Sequence, residues 1–322
     1  MRYFIIGGAG FIGSHVARLL LSEGFSVTVY DNFSSGEEWH LETVIGNKNL
    51  SIIKGDIKEL DLLASSLKED DTVYHFASNP DISKAITQPD IDFWEGTYLT
   101  NNVLEAMRRR GAKKLIYASG SGVYGEVGSE PIKENWPNMR PISTYGASKL
   151  ACEALICSYS FMFGIDAAAF RFANVVGPNQ THGVGYDFTR RLLQNSKELS
   201  ILGDGTQDKS YIYVDDVISA MRLIEKDHLH GFDVYNVATM ESITVTEIAN
   251  VTAGILGLEN VKYVYSGGDR GWKGDVPVIR LDSSKIRALG WKNRYTTKQA
   301  IHESVSSIYQ DAKQGKFSKW GV

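Results

Sequence analysis

The sequence predicts an α/β fold, a doubly wound parallel sheet with a smaller C-terminal lobe, and three observations carry that expectation. An apolar run at residues 3–6 leads straight into a glycine-rich turn, Gly7-Gly-Ala-Gly10-Phe11-Ile12-Gly13. A second strand-like run at 26–30 ends in a carboxylate, Asp31. Strand and helix signals then alternate through the first half of the chain, as a parallel sheet with crossover helices requires.

Residues 3–6 read as a buried strand, because a strand covered on both faces is continuously apolar. The helix at about 14–23 carries Val16, Leu19 and Leu20 on its apolar face, with Phe25 just beyond it. With 26–30 it makes a βαβ unit of the Rossmann type. Gly7 permits the tight turn, Gly10 lets backbone N–H groups approach a pyrophosphate, and Gly13 lets the helix pack close to the sheet. The phosphates then meet a helix N-terminus, where unpaired N–H groups and the helix dipole favour an anion. Asp31 can accept hydrogen bonds from both adenosine ribose hydroxyls and would repel a 2′-phosphate, which selects NAD over NADP. Glycines also occur simply to turn a chain; the strand before, the helix after and Asp31 on schedule set this turn apart.

Further strands are expected at 50–54, closed by Gly55-Asp56-Ile57, and at 72–76, entering His75-Phe76-Ala77-Ser78. Two more lie at 114–118 and 167–171, with helices at 96–110 and 145–163. Past Asn174 the pattern loosens. Gly177-Pro178 breaks regular structure, a helix is expected near 188–195, a strand at 211–214 and a helix at 215–225. Residues 234–237 are strand-like and return to the main sheet. Helical patterns at 246–256 and 297–310 flank an irregular stretch at 267–277. The expected division is a dinucleotide-binding domain from 1–173 with 211–240, and a substrate-binding lobe from 174–210 with 241–322, with a cleft between them.

Bulk properties exclude several classes. The chain has 322 residues, enough for about two domains. At 43% hydrophobic and 22% charged residues it is an ordinary globular sequence, and a net charge of −4 gives no reason to expect nucleic acid or an anionic membrane as partner. The basic run Arg108, Arg109, Arg110, Lys113 and Lys114 reads as a solvated helix C-terminus favoured by the dipole. No apolar stretch is long enough to span a bilayer, and no signal peptide is recognised. Cys152 and Cys157 fall in one helix, where a disulfide has poor geometry, so both read as reduced packing residues of a cytoplasmic protein. The His residues form no metal-ligand spacing, so no metal site is expected.

The chemistry centres on Tyr145-Gly-Ala-Ser-Lys149, which opens a long helix. Residues four apart share a helical face, so the phenol and the ammonium can point into one site. A nearby cation favours a phenolate, which can take a proton from a substrate hydroxyl and return it later. Lys149 can also hold the nicotinamide ribose. Alone the spacing is close to noise, its bland reading being a packed tyrosine and a solvated lysine; a dinucleotide turn upstream gives it weight.

With these residues in view, the chain resembles the extended short-chain dehydrogenase/reductases, specifically their NAD-dependent sugar-nucleotide epimerase/dehydratase group, over essentially its whole length. The motifs that carry the resemblance are Gly7–Gly13, Asp31-Asn32, Gly55-Asp56-Ile57, His75–Ser78, Val123-Tyr124-Gly125, Pro141–Lys149, Arg171–Asn174, Gly203-Asp-Gly205 and Tyr213–Asp216. The resemblance implies that Phe11 and Ile12 join the glycines at the phosphates and that Asn32 joins Asp31. Asp56 and Ile57 would sit by the adenine, and Phe76, Ala77 and Ser78 would line the cofactor groove. Lys84 would face the phosphates, and Ser119 would adjoin the nicotinamide end with Tyr145 and Lys149. For the substrate, Asn174 would bind the sugar nucleotide's diphosphate, Lys209 stands where relatives often carry Arg, and Arg270 is the candidate diphosphate cation, with Lys273 its rival. A homodimer through the helices at 96–110 and 145–163 is also implied.

Two departures matter. The family's usual Ser or Thr before Val-Tyr-Gly is Gly120 here, flanked by Ser119 and Ser121. A loop shift bringing in Ser121, a bound water, or direct contact from Tyr145 would each serve in its place. The helix near Glu95-Gly96-Thr97 also lacks the Asn often found beside the cofactor. Where dehydratases of the group carry Asp-Glu and decarboxylases a Glu, this chain has Ser121 and Gly122. The absence of a carboxylate there leaves hydride transfer and return, so the expectation is 4-epimerisation of a UDP-hexose, UDP-glucose or UDP-galactose. The alternatives are a UDP-glucuronate or UDP-N-acetylhexosamine epimerase, a dehydratase, or a non-catalytic NAD(H)-binding regulator, against which the retained Tyr145, Lys149 and Asn174 argue.

Overall fold

The computed structural model describes residues 1–317 and Trp320, and the chain forms two compact units. The first comprises Met1–Tyr124, Met139–Arg171 and Ile218–Tyr235; the second comprises Gly125–Asn138, Phe172–Val217 and Asn236–Val322.

The first unit is built on β1 (Arg2–Ile6), α1 (Phe11–Ser22), β2 (Ser26–Asp31), β3 (Leu50–Lys54), α2 (Leu60–Ser66), β4 (Asp71–His75), α3 (Leu99–Arg110), β5 (Lys114–Ala118), α4 (Thr144–Phe163) and β6 (Asp166–Phe172). The sheet runs from the edge strand Phe232–Val237 through β6, β5, β4, β1 and β2 to β3. Every pairing from β6 to β3 is parallel. This is the expected Rossmann-type fold, and residues 234–237 do return to the main sheet. Phe4, Ile6, Val73, Leu115 and Tyr117 are buried, which is why these strands read as unbroken apolar runs. β1 pairs with β2 on one side and β4 on the other, so strand order reverses there, and ligands bind at the carboxyl ends of strands at such a switch point.

Local differences from the sequence reading have local causes. α1 starts at Phe11 with Gly10 as its N-cap, earlier than Ser14, because Gly13 is already a helical residue pressed on the turn. α3 is preceded by a π-helical turn, Phe93–Tyr98, which packs on α4 where Gly96 leaves room for Ser148. Short strands at Glu198–Ile201 and Lys262–Tyr265 pair in parallel and were not foreseen.

The second unit buries Phe188, Leu192, Ile201, Ile248, Ile301 and Val305 among the helices Val184–Gln194, Val245–Ile255 and Thr297–Lys313. Its boundaries depart from the expected ones at residues 125–138, 172–173, 211–217 and 236–240. Residues 125–138 pack here because Ile132 pairs with Leu281: Ile132 N donates to Arg280 O at 2.9 Å and Asp282 N to Ile132 O at 2.9 Å. Tyr211–Tyr213 also belongs here, since it pairs with Asn174–Val176 rather than with the main sheet. Among the described residues no helix is long and apolar enough to cross a membrane.

Candidate active site

The turn after β1 has the shape a dinucleotide pyrophosphate needs. Gly7 has φ +77°, and a Cβ there would stand 2.7 Å from Ala77 N, so the turn runs hard against the chain leaving β4. A Cβ on Gly13 would lie 2.2 Å from Gly7 O. Gly10 caps α1 without a side chain, so no side chain competes for the N–H groups of the first turn, where Phe11 and Ile12 stand. Gly7 and Gly13 are the positions where glycine is required, and the cradle fits the phosphates of NAD.

Asp31 lies buried at the end of β2. Its carboxylate accepts from Ala9 N at 2.9 Å and from Phe33 N at 2.8 Å, which ties the glycine turn to the end of the second strand. Burial raises the Asp31 pKa, against the pull of the two backbone donors. Asn32 donates to Asp56 at 3.1 Å, so those two come together. Ile57 packs into the core with Tyr30 and Leu63, and its carbonyl accepts from Asn102 at 3.1 Å. Phe76 N donates to Ile6 O at 2.9 Å, which carries Ala77 and Ser78 off beside the glycine turn. Lys84 stands exposed on the short turn Ile82–Ile86.

The start of α4 is pinned from three sides, and this fixes Tyr145. Ser143 caps it by accepting from Gly146 N at 3.1 Å. Thr144 donates to Asp92 at 2.6 Å, and Asp92 is held by Asn79 at 2.9 Å. A Cβ on Gly146 would lie 2.3 Å from Gly122 O, so the helix and the turn after β5 meet backbone to backbone. One turn along, Lys149 is buried; its ammonium donates to Ala118 O at 2.8 Å and sits 5.4 Å from the centre of the Tyr145 ring. The structure therefore brings Tyr145 and Lys149 together at the end of β5. His75 lies close by, 3.1 Å from Thr100; burial, reinforced by the Lys149 charge, lowers its pKa to about 3 and keeps the ring neutral.

The serines beside Gly120 divide sharply. Ser119 donates to Glu153 at 2.6 Å, and Glu153 is gripped by the buried Arg171 at 2.6 and 3.0 Å, whose third nitrogen donates to Tyr124 at 2.8 Å. Its hydroxyl is thus committed to a buried ion pair, which leaves the expected contact with the cofactor to its backbone. Ser121 stands on the tight turn Ser121–Val123, and its hydroxyl makes no hydrogen bond to any described residue. A Cβ on Gly120 would meet only Tyr145, at 4.0 Å, so the position has room for a side chain it does not carry. Glu153 was missed by the sequence reading, though it had a signal: it continues the four-residue spacing of Tyr145 and Lys149. Arg171 was noted only as part of a motif, yet a charge at the end of an apolar strand marked it.

In the second unit, Asn174 is exposed and donates to Ser210 O at 3.1 Å. Lys209 is paired with Asp275, and Arg270 with Glu126. The expected cations are present, each held by a carboxylate.

Residues 3–238 match the model of the NAD dependent epimerase/dehydratase family. A UDP-glucose 4-epimerase of Lactobacillus helveticus is 30% identical, covering 97% of this chain and 96% of its own. A crystal structure of a UDP-galactose 4-epimerase, 34% identical, superposes with a TM-score of 0.86 over 97% of this chain and 99% of its own. A dTDP-glucose 4,6-dehydratase of Streptomyces venezuelae, 26% identical, superposes with a TM-score of 0.89 over 99% and 100%.

Proposed function

The chain belongs to the NAD dependent epimerase/dehydratase family, and we propose that within it the protein is an isomerase that interconverts UDP-hexoses at C4, with UDP-glucose and UDP-galactose as the pair. The observation that carries this reading is the Tyr145–Lys149 pair beside a turn, Ser121-Gly122, that holds no carboxylate. Eliminating water from the sugar needs a further acid and base; proton transfer at one hydroxyl needs only the phenol.

Held by these residues, NAD would supply a reversible hydride acceptor for C4 of the sugar, with no net consumption. The protein does the rest. Gly7, Gly10 and Gly13 receive the pyrophosphate and Asp31 the adenosine ribose. Lys149 orients the nicotinamide ribose and sets its charge 5.4 Å from the centre of the Tyr145 ring. Tyr145 takes the proton from O4 as C4 is oxidised to the ketone, and returns it to the same oxygen once the turned-over sugar takes the hydride back on the other face of C4. With Ser119 committed to Glu153, the bridging hydroxyl is that of Ser121. Asn174, Lys209 and Arg270 hold the diphosphate, the two cations exchanging Asp275 and Glu126 for phosphate oxygens. The working form is a homodimer through α3 and α4, a reading supported by the exposed Trp94 beside α3 and Phe161 and Met162 on α4. The two free cysteines fit a cytoplasmic setting.

Incubating the purified protein with UDP-galactose and no added NAD tests this: UDP-glucose should form. Turnover only of UDP-glucuronate or UDP-N-acetylglucosamine would keep the mechanism and move the substrate. A deoxy-keto product would replace the reading with dehydration.

A further inference from the structure

Ala9, inside the glycine turn, is tied through both its N–H and its carbonyl to the chain that leaves β2. Its N–H donates to Asp31 Oδ2 at 2.9 Å. Its carbonyl accepts from Glu37 N at 3.1 Å and meets His40 Nδ1 at 2.7 Å. A carbonyl only accepts, so Nδ1 of His40 carries the hydrogen and donates. The imidazole is 1% exposed and stands on the short helical turn Glu38–Leu41, with Leu41 buried beside it in sequence. Gly36 closes the loop tightly: a Cβ there would stand 2.9 Å from Ala9 Cβ and 3.0 Å from Asp31 Oδ1. Residues 32–40 therefore form a strap within the first unit. It starts at the carboxylate suited to the adenosine ribose and ends on the turn suited to the pyrophosphate.

We propose that His40 is the clip that makes NAD a resident cofactor, a positioning residue that acts through Ala9 and the strap. The glycine turn and the Asp31 carboxylate follow different strands. Linked through Ala9, they are set before the cofactor arrives, so binding carries no cost of ordering them. Without the His40 hydrogen bond, the Ala9 carbonyl keeps only Glu37 among these links, and the strap is ordered only as NAD binds. The effect falls on dissociation, because affinity differences within one site are carried mostly by the off-rate. An isomerase that returns its hydride needs no cofactor exchange, and a clipped strap suits it. That fit to the reaction rests on the C4-isomerase reading given above; the clip itself does not.

Exchange of bound NAD for isotope-labelled NAD in the holoprotein, followed by mass spectrometry after desalting, tests the proposal. His40→Asn places an amide N–H where Nδ1 stands. His40→Leu has the same branched shape with no donor, so the two variants lose the same ring packing and differ in the hydrogen bond. His40→Leu should release NAD roughly tenfold faster than the unmodified protein, and His40→Asn at most about threefold faster. Equal rates in the two variants would overturn the proposal, as would His40→Leu exchanging like the unmodified protein. Hydrogen exchange on the unmodified holoprotein gives a check that needs no variant. The Glu37 amide should exchange roughly a hundredfold more slowly than in an unstructured chain; exchange at the unstructured rate would mean an open strap and would also overturn the proposal. The readout is cofactor exchange and not turnover, so failure here leaves the C4-isomerase reading standing, and failure of that reading leaves the clip standing.

Discussion

The turn after β1 and the turn after β5 both leave the carboxyl edge of one sheet, and both rely on glycine. After β1 the glycines are forced: Gly7 has a left-handed φ, and Cβ atoms on Gly7 and Gly13 would stand 2.7 and 2.2 Å from backbone atoms. After β5, Gly120 is extended at φ −166°, a conformation open to any residue, and its missing side chain would touch only the Tyr145 ring. The same residue type thus marks a necessity in one turn and an omission in the other. The first turn is shaped for a ligand; the second carries no hydroxyl at Gly120, and the neighbouring Ser119 cannot supply one while Glu153 holds it.

The comparison can be broken at its strongest point first. Tyr145→Phe keeps the ring and removes the acid–base hydroxyl; kcat should fall about 10²- to 10⁴-fold with NAD content unchanged, read by product assay and cofactor extraction. Unchanged activity would detach the chemistry from α4. Gly13→Ala should release NAD and lower stability by about 1–3 kcal/mol, since Gly7 O has nowhere to go; a denaturant melt and the cofactor content read both. Gly120→Ala, by contrast, should fold with unchanged stability, and if it destabilised as Gly13→Ala does, the contrast between the turns would be lost.

A finer test concerns the hydroxyl. Ser121→Ala should lower kcat by about two- to tenfold, the worth of one hydrogen bond, and Gly120→Ser should abolish that sensitivity by supplying the group itself. Equal loss in both backgrounds would assign Ser121 a different role.

A separate test concerns pH dependence. His75 has its ordinary pKa near 6.5 when unfolded and about 3 when folded. Between those values the unfolded chain binds one more proton, so stability is full above pH 6.5 and falls as pH drops, by about 1.4 kcal/mol per pH unit from this group. His75→Phe should flatten that part of the stability–pH curve, measured by denaturant unfolding.

How much of this was legible depended on what each residue's role required. Gly7, Gly13, Asp31, Tyr145 and Lys149 stood out in the sequence because the tasks proposed for them restrict residue type and spacing together. The pairing of the Ser119 hydroxyl with Glu153 was not legible, because it joins the end of β5 to α4 from 34 positions apart and leaves no local pattern. Residues 125–138 went to the wrong unit because their pairing partner, near Leu281, lies far along the chain and leaves no local pattern.

The most direct test of the central claim, that hydride leaves C4 and returns to it, is turnover of UDP-[4-²H]galactose with analysis of the product by mass spectrometry and NMR. The account predicts UDP-glucose with the deuterium still at C4 and, from unlabelled substrate in D₂O, no deuterium at C4. Loss of the label to solvent, or its appearance in a deoxy-keto sugar, would contradict it.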